Sequence, residues 1–155
     1  MFNISFEYPV VWNLNKHPVH EANEPVESWG FEIQDHDSYI YVSGHETSSS
    51  YTPEDAREME HTSIQEAIEM TLIDGSSLTS EIVTICGEQY EVYQYFKDEL
   101  YAEIGYYPPA YVNRFRFVYG DYLYYFLANI VESEVADQDD IIAKFYQMME
   151  SIECH

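Results

Sequence analysis

Positive charge is scarce in this sequence. Six lysines and arginines stand against twenty-nine aspartates and glutamates, a formal charge of −23 at neutral pH over 155 residues. Proteins that hold nucleic acid or anionic lipid neutralise phosphates with lysine and arginine, so this balance excludes direct binding to either. Cysteine is rarer still. Cys86 and Cys154 stand without CxxC spacing, which excludes a zinc knuckle and predicts two free thiols in a reducing cytosol. Long apolar runs are missing: the longest, Tyr122 to Val131, is closed by Asp121 and Glu132 and falls far short of the roughly 20 residues of a membrane span. The opening Met1-Phe2-Asn3-Ile4-Ser5-Phe6-Glu7 has no basic segment, the first base being Lys16. No apolar stretch of a secretory signal follows, so a cytoplasmic location is expected. Catalytic signatures are absent as well. No GxSxG, phosphate-binding loop or glycine-rich dinucleotide turn occurs, and the carboxylates are too many to single out an acid/base pair. We therefore expect neither an enzyme nor a cofactor.

What the chain does contain is the material of a folded body. Disordered acidic segments are poor in aromatic residues, whereas this sequence is 46% hydrophobic and holds sixteen tyrosines. One domain of this length buries roughly 70% of the surface its unfolded form exposes. The charge is no appended tail: residues 1–87 carry −14 and residues 88–155 carry −9, and no run of carboxylates exceeds two. Self-repulsion on this scale opposes compactness, which argues that the charge has a use.

Period-two alternation from Phe2 to Tyr8, ended by Pro9, predicts a strand, and residues 15–28 with Pro18 and Pro25 read as a loop. Trp29 to Ile33 and Tyr39 to Ser43 follow as strands joined by a polar turn, completing an N-terminal antiparallel meander. Thr52-Pro53-Glu54-Asp55 is a helix start, with a cap, a proline at the first position and acids in the first turn. That helix is expected to break near His61, and a second to run to about Ile73 before Gly75. A fourth strand is expected at Ile82 to Cys86, and a helix from Tyr90 to Ile104 with Tyr93, Phe96, Leu100, Tyr101 and Ile104 on one face. Pro108-Pro109 enforces a connection, and Arg114 to Phe117 alternates as a short extended piece. Closing helices are expected at Asp121 to Glu134 and Asp139 to Ile152. The expected fold is α+β, a single domain of N-terminal antiparallel strands with amphipathic helices packed against them.

Function follows from how a folded polyanion competes with DNA. Carboxylates three or four residues apart on a helix stand about 4.5–6 Å apart along its axis, so one face imitates a row of phosphates. Two groups have this spacing: Glu54, Asp55, Glu58, Glu66 and Glu69, and then Glu132, Glu134, Asp137, Asp139 and Asp140. Few bases are interspersed, whereas an ordinary solubilising surface mixes both signs. Eleven of the sixteen tyrosines fall between Tyr90 and Tyr125, and tyrosine anchors interfaces at low entropy cost. In Tyr106-Tyr107 and Tyr124-Tyr125, neighbours in a regular element cannot both face one core, so Tyr106 and Tyr107 join the expected contact surface. In length, charge and tyrosine content the chain resembles the DNA-mimic inhibitors by which phages and mobile elements block restriction enzymes or CRISPR effectors. That resemblance implies a partner with a basic nucleic-acid-binding cleft, acting in the host cytoplasm. Immunity proteins of basic nuclease toxins share the signature and suggest a second class, an adaptor that binds a basic protein without mimicry. A third class is a metal-dependent enzyme using His17 and His20, although neither His20-Glu21 nor His45-Glu46 completes HExxH. Arg114 and Arg116, two apart, share one strand face where acids can pair with them, or where they meet an acidic patch on a partner or a second copy in a homodimer.

Overall fold

The computed structural model describes residues 4–8, 13–17, 20–21, 24–32, 37–47, 51–102, 105–133 and 138–155. Residues 13–17, 20–21, 24–32, 101–102 and 138 are described by backbone alone. One antiparallel sheet, assembled from two stretches of chain, organises everything else. The first stretch supplies β2 (Asn13–His17), β3 (His20–Glu21), β4 (Glu24–Glu32) and β5 (Tyr39–Glu46). The second supplies β6 (Thr79–Ile85), β7 (Glu88–Lys97), β10 (Ala110–Tyr119) and β11 (Tyr122–Val131). Strand order is β2-β4-β5-β11-β10-β7-β6, with β3 paired to β4, so the two stretches are joined where β5 meets β11. A small hairpin of β8 (Leu100–Ala102) and β9 (Gly105–Tyr107) projects between β7 and β10, and β1 (Ile4–Ser5) pairs with β12 (Glu153–Cys154) near the chain ends.

Turn chemistry sets the registers. β10 and β11 are joined by Gly120-Asp121, with Gly120 at φ 60°, the positive φ that a two-residue hairpin needs at its first central position. Between β6 and β7, Cys86 and Gly87 have φ 54° and 84°, the primed turn whose twist matches the strands.

Each sheet face carries one helix. On β10, Phe115 and Phe117 alternate with Arg114 and Arg116. The phenylalanines meet α2 (Gln138–Glu150), where Phe145 lies edge-on to Phe115 at 6.4 Å. The arginines meet α1 (Pro53–Glu69) through Glu60 and Ser63. The α2 side is an aromatic core: Phe117 stacks on Tyr124 at 4.8 Å and Phe115 on Phe126 at 5.3 Å, all fully buried. The α1 side buries a smaller cluster of Ile64, Ile73, Tyr93, Tyr95 and Val112. The fold is α+β, as the sequence indicates, with its helices on opposite faces of the sheet.

Several elements differ from expectation. Residues 90–104 and 121–134, expected as helices, are largely β7 and β11 with the β8 strand. Both strands are central and covered on two faces, so apolar residues fill both sides and the alternation that marks a half-exposed strand is lost. The two helices expected between Thr52 and Ile73 are one, ending at Glu69, so the capping pattern near His61 does not interrupt it. The extended piece at Arg114 to Phe117 is the middle of a ten-residue strand. The expected loop at 15–28 contains the end of β2, all of β3 and the start of β4, and the opening strand pairs with β12 in place of a meander. Most of the polar turn at 34–38 lies outside the described residues. Among the described residues no helix is long and apolar enough to cross a membrane.

The two cysteines require a further correction. Cys86, in the β6–β7 turn, and Cys154, on β12, are bonded to each other across 68 residues of sequence, with Cα atoms 5.9 Å apart, inside the range disulfides span. Neither is a free thiol. Cysteine count and spacing cannot reveal this, because the contact exists only after β1 and β12 fold back beside the aromatic core.

Candidate functional site

Helix α1 begins where Thr52 and Asp55 close a capping box. The Thr52 Oγ1 accepts from the Asp55 backbone N–H at 3.2 Å, and the Asp55 carboxylate accepts from the Thr52 N–H at 2.7 Å. These bonds, the backbone one foremost, hold the Asp55 carboxyl below the usual carboxylate range. The sign follows: the cap contribution is complete above the unfolded carboxylate range and is lost as pH falls through the folded one. The helix buries Ala56, Glu60 and Ile64 at four-residue spacing and turns Glu54, Glu58, Glu66 and Glu69 to solvent. Its single base, Arg57, lies against the sheet, donating to the Gln89 carbonyl at 2.6 Å with its guanidinium over the Tyr90 ring. The solvent face of α1 therefore carries carboxylates with no compensating base of its own.

Glu60 is 2% exposed in the middle of the buried face. It pairs with the Arg114 Nε and lies 3.3 Å from the Arg116 Nε. Arg114 also donates to the Ser63 hydroxyl at 2.8 Å, and both guanidiniums lie over the Tyr125 ring, at 5.4 and 5.2 Å. Burial, the largest influence on Tyr125, raises its phenol well above the ordinary range. This cluster bolts α1 to β10 and β11.

Beside it runs a groove. Asp55, Glu58 and Glu66 form its helix wall around a hollow of about 470 Å³, with Arg116 at the base. Tyr51, Met59 and Arg116 also border a second hollow of about 500 Å³ floored by Tyr41 and Tyr125, with His45 alongside. Tyr41 and Tyr125 meet edge to face at 6.4 Å, so a polar aromatic floor adjoins an acidic wall.

The structure brings together part of the expected surface. Glu54, Asp55, Glu58, Glu66 and Glu69 share α1 as expected. Asp139 and Asp140 are exposed in the first turn of α2, on the other side of the sheet, and Asp140 pairs with Lys144. Glu132 is exposed just beyond β11, whereas Glu134 and Asp137 lie outside the described residues. The two acidic groups therefore do not form one ridge. Tyr106 and Tyr107 are exposed on β9, at 52% and 38%, and line a different cleft together with Glu132. Tyr124 is buried while Tyr125 is partly exposed on the opposite face. Arg114 and Arg116 are held internally by Glu60. His17 and His20 lie on β2 and β3, with side chains outside the described residues, and the described residues contain no group of three or more metal-ligating side chains.

Sequence reasoning missed Glu60, Tyr41 and Tyr125 at the α1 groove, and Lys97, which lines the cleft of Tyr106, Tyr107 and Glu132. A period-two reading of residues 122–131 separates Tyr124, Phe126, Ala128 and Ile130 from Leu123, Tyr125, Leu127 and Asn129, but both sets are largely apolar or aromatic, so the alternation does not single out Tyr125.

No protein-family model matches the chain, and no curated protein matches it. Solved structures do. The chain is similar to cyanobacterial PsbP (CyanoP) from Synechocystis sp. PCC 6803, with a TM-score of 0.57 at 16% identity over 99% of this chain and 87% of that one. It is also similar to a Bacteroides thetaiotaomicron protein, with a TM-score of 0.54 at 15% identity over 99% of this chain and 45% of that one. At such identities the likeness concerns the fold alone.

Proposed function

We propose that this chain is an acidic inhibitor whose α1 face occupies the basic cleft of a nucleic-acid-binding protein, such as a CRISPR effector, restriction enzyme or nuclease, and blocks access of DNA or RNA. The observation that carries this reading is the row of exposed carboxylates on a helix whose only base is turned to the sheet. From Glu54 to Glu69 the row extends about 22 Å along the helix axis, a length over which duplex DNA presents about a dozen charges. The sheet and the Glu60 cluster keep the row rigid, so little ordering entropy is lost on binding. Long-range attraction speeds the encounter and weakens with salt. The mechanism uses no cofactor.

Two observations favour a second reading, an immunity or adaptor protein that binds a basic partner without imitating DNA. Arg116 sits at the base of the acidic groove, which suits a protein surface of mixed charge. The Cys86–Cys154 bond suits an oxidising compartment and removes one of the two grounds for a cytoplasmic location.

The test is to measure DNA binding by purified CRISPR effectors, restriction enzymes and nucleases at low salt with this protein added. We expect DNA binding by a target to be abolished. The combined substitution Glu58→Lys, Glu66→Lys and Glu69→Lys should weaken the inhibition at least about tenfold, or ~1.4 kcal/mol, without lowering the thermal midpoint. Inhibition undiminished by these reversals contradicts the choice of face.

A further inference from the structure

A further concavity lies at the other end of the α1 side of the sheet, where β5 and β10 begin and β7 and β11 end. It encloses about 900 Å³, within the range of small-molecule sites. Tyr39, Tyr106 and Tyr107 wall it together with Pro108 and Pro109, and Lys97 lies inside beside Asn129. Two backbone amides tie its edge: the Glu132 N–H donates to the Pro109 carbonyl at 2.8 Å, and the Val131 N–H to the Ser38 side-chain hydroxyl at 2.9 Å.

Lys97 is the unusual member. In a chain with nearly five carboxylates for every base, the other described bases that form ion pairs take carboxylates, Arg114 and Arg116 on Glu60 and Lys144 on Asp140. Lys97 is half-buried and, among the described residues, donates only to the Asn129 amide oxygen, at 3.3 Å. Asp37 and Glu132 line the same cleft, yet among the described residues no carboxylate comes within ion-pairing distance of its ammonium. Burial lowers its proton affinity below that of an ordinary lysine, with no opposing contribution from a carboxylate. A partly desolvated cation without a counter-ion is unfavourable, and an anion that enters relieves it. The tyrosine and proline walls offer flat apolar faces to the rest of such a ligand.

We infer that this cleft binds a small planar organic anion, its carboxylate paired with the Lys97 ammonium and its ring system held between Tyr39, Tyr107 and the Pro108-Pro109 segment. This goes beyond the partner-binding reading of α1 and is independent of it.

The probe is 2-naphthoate, with 2-naphthamide as its uncharged analogue, titrated calorimetrically against the whole chain. Naphthoate is expected to bind at least tenfold more tightly than the amide. Lys97→Met should remove that difference, and Lys97→Arg should retain most of it. A second readout needs no variant: bound naphthoate should slow acetylation of Lys97 by acetic anhydride at least threefold while leaving Lys144 unchanged, as read by peptide mass spectrometry. Absence of naphthoate binding overturns the inference. So does equal affinity for acid and amide, or equal protection of Lys97 and Lys144. Because Lys97→Met leaves the α1 carboxylates in place, it should not alter inhibition of a nucleic-acid-binding partner, so the two readings can fail separately.

Discussion

Replacing Glu60 by alanine is expected to lower stability by about 3–5 kcal/mol, the usual loss when one member of a buried ionic cluster is removed. Glu60 is 2% exposed and is the shared counter-charge of Arg114 and Arg116. Without it, two guanidiniums lie beneath α1, over one Tyr125 ring, with no anion between them. Glu60→Gln, which keeps the shape and discards the charge, should lose most of the same amount. Replacing all three charged residues together, Glu60→Leu with Arg114→Met and Arg116→Leu, should recover much of the loss, because apolar groups of similar volume need no desolvation of charge. Denaturant unfolding of the three variants provides the check. A loss under about 1 kcal/mol for Glu60→Ala would show that the cluster behaves like a solvated surface pair.

Reducing the Cys86–Cys154 bond is expected to cost about 4 kcal/mol, from the chain entropy that a closed loop of 68 residues removes from the unfolded state. For a chain of this size that corresponds to a fall in thermal midpoint of about 10 °C. Cys154→Ser should reproduce it without reductant. The bond also fastens β12, and through it β1, to the β6–β7 turn, so its loss should expose the amides of Ile4 and Ser5 to hydrogen exchange before those of β10. An unfolding curve unchanged by reductant contradicts the linkage.

How far the fold was legible depended on how many faces of each element are covered. The start of α1 was readable at Thr52-Pro53-Glu54-Asp55, because capping chemistry is local. α2 was readable from Ile141, Phe145, Met148 and Met149, because one helical stripe is buried. β7 and β11 were read as helices because both of their faces are covered. In β11, Tyr124 and Phe126 fill the α2 core while Tyr125 and Leu127 face α1, leaving no polar half-period to identify a strand. The disulfide was hidden because its partners meet only in the finished fold. Within the candidate site, the acidic row of α1 was legible as spacing. Glu60 was not, since it stands among five other acids of the same helix and only the position of β10 makes it internal. The second acidic group was legible as composition, but Asp139 and Asp140 lie across the sheet from α1. Lys97 carried no signal, because its distinction is that no carboxylate among the described residues lies within reach.

The central claim is that the carboxylates of α1 act in place of a polynucleotide. Its most direct test is competition for a basic nucleic-acid-binding protein held by the immobilised chain, with duplex DNA added in excess at moderate salt. The account predicts that DNA releases the partner and that Glu58→Lys, Glu66→Lys and Glu69→Lys together prevent capture. Asp139→Lys with Asp140→Lys, on the far face, should leave capture intact. A partner that stays bound in saturating DNA, or is captured equally well by the α1 variant, would contradict it.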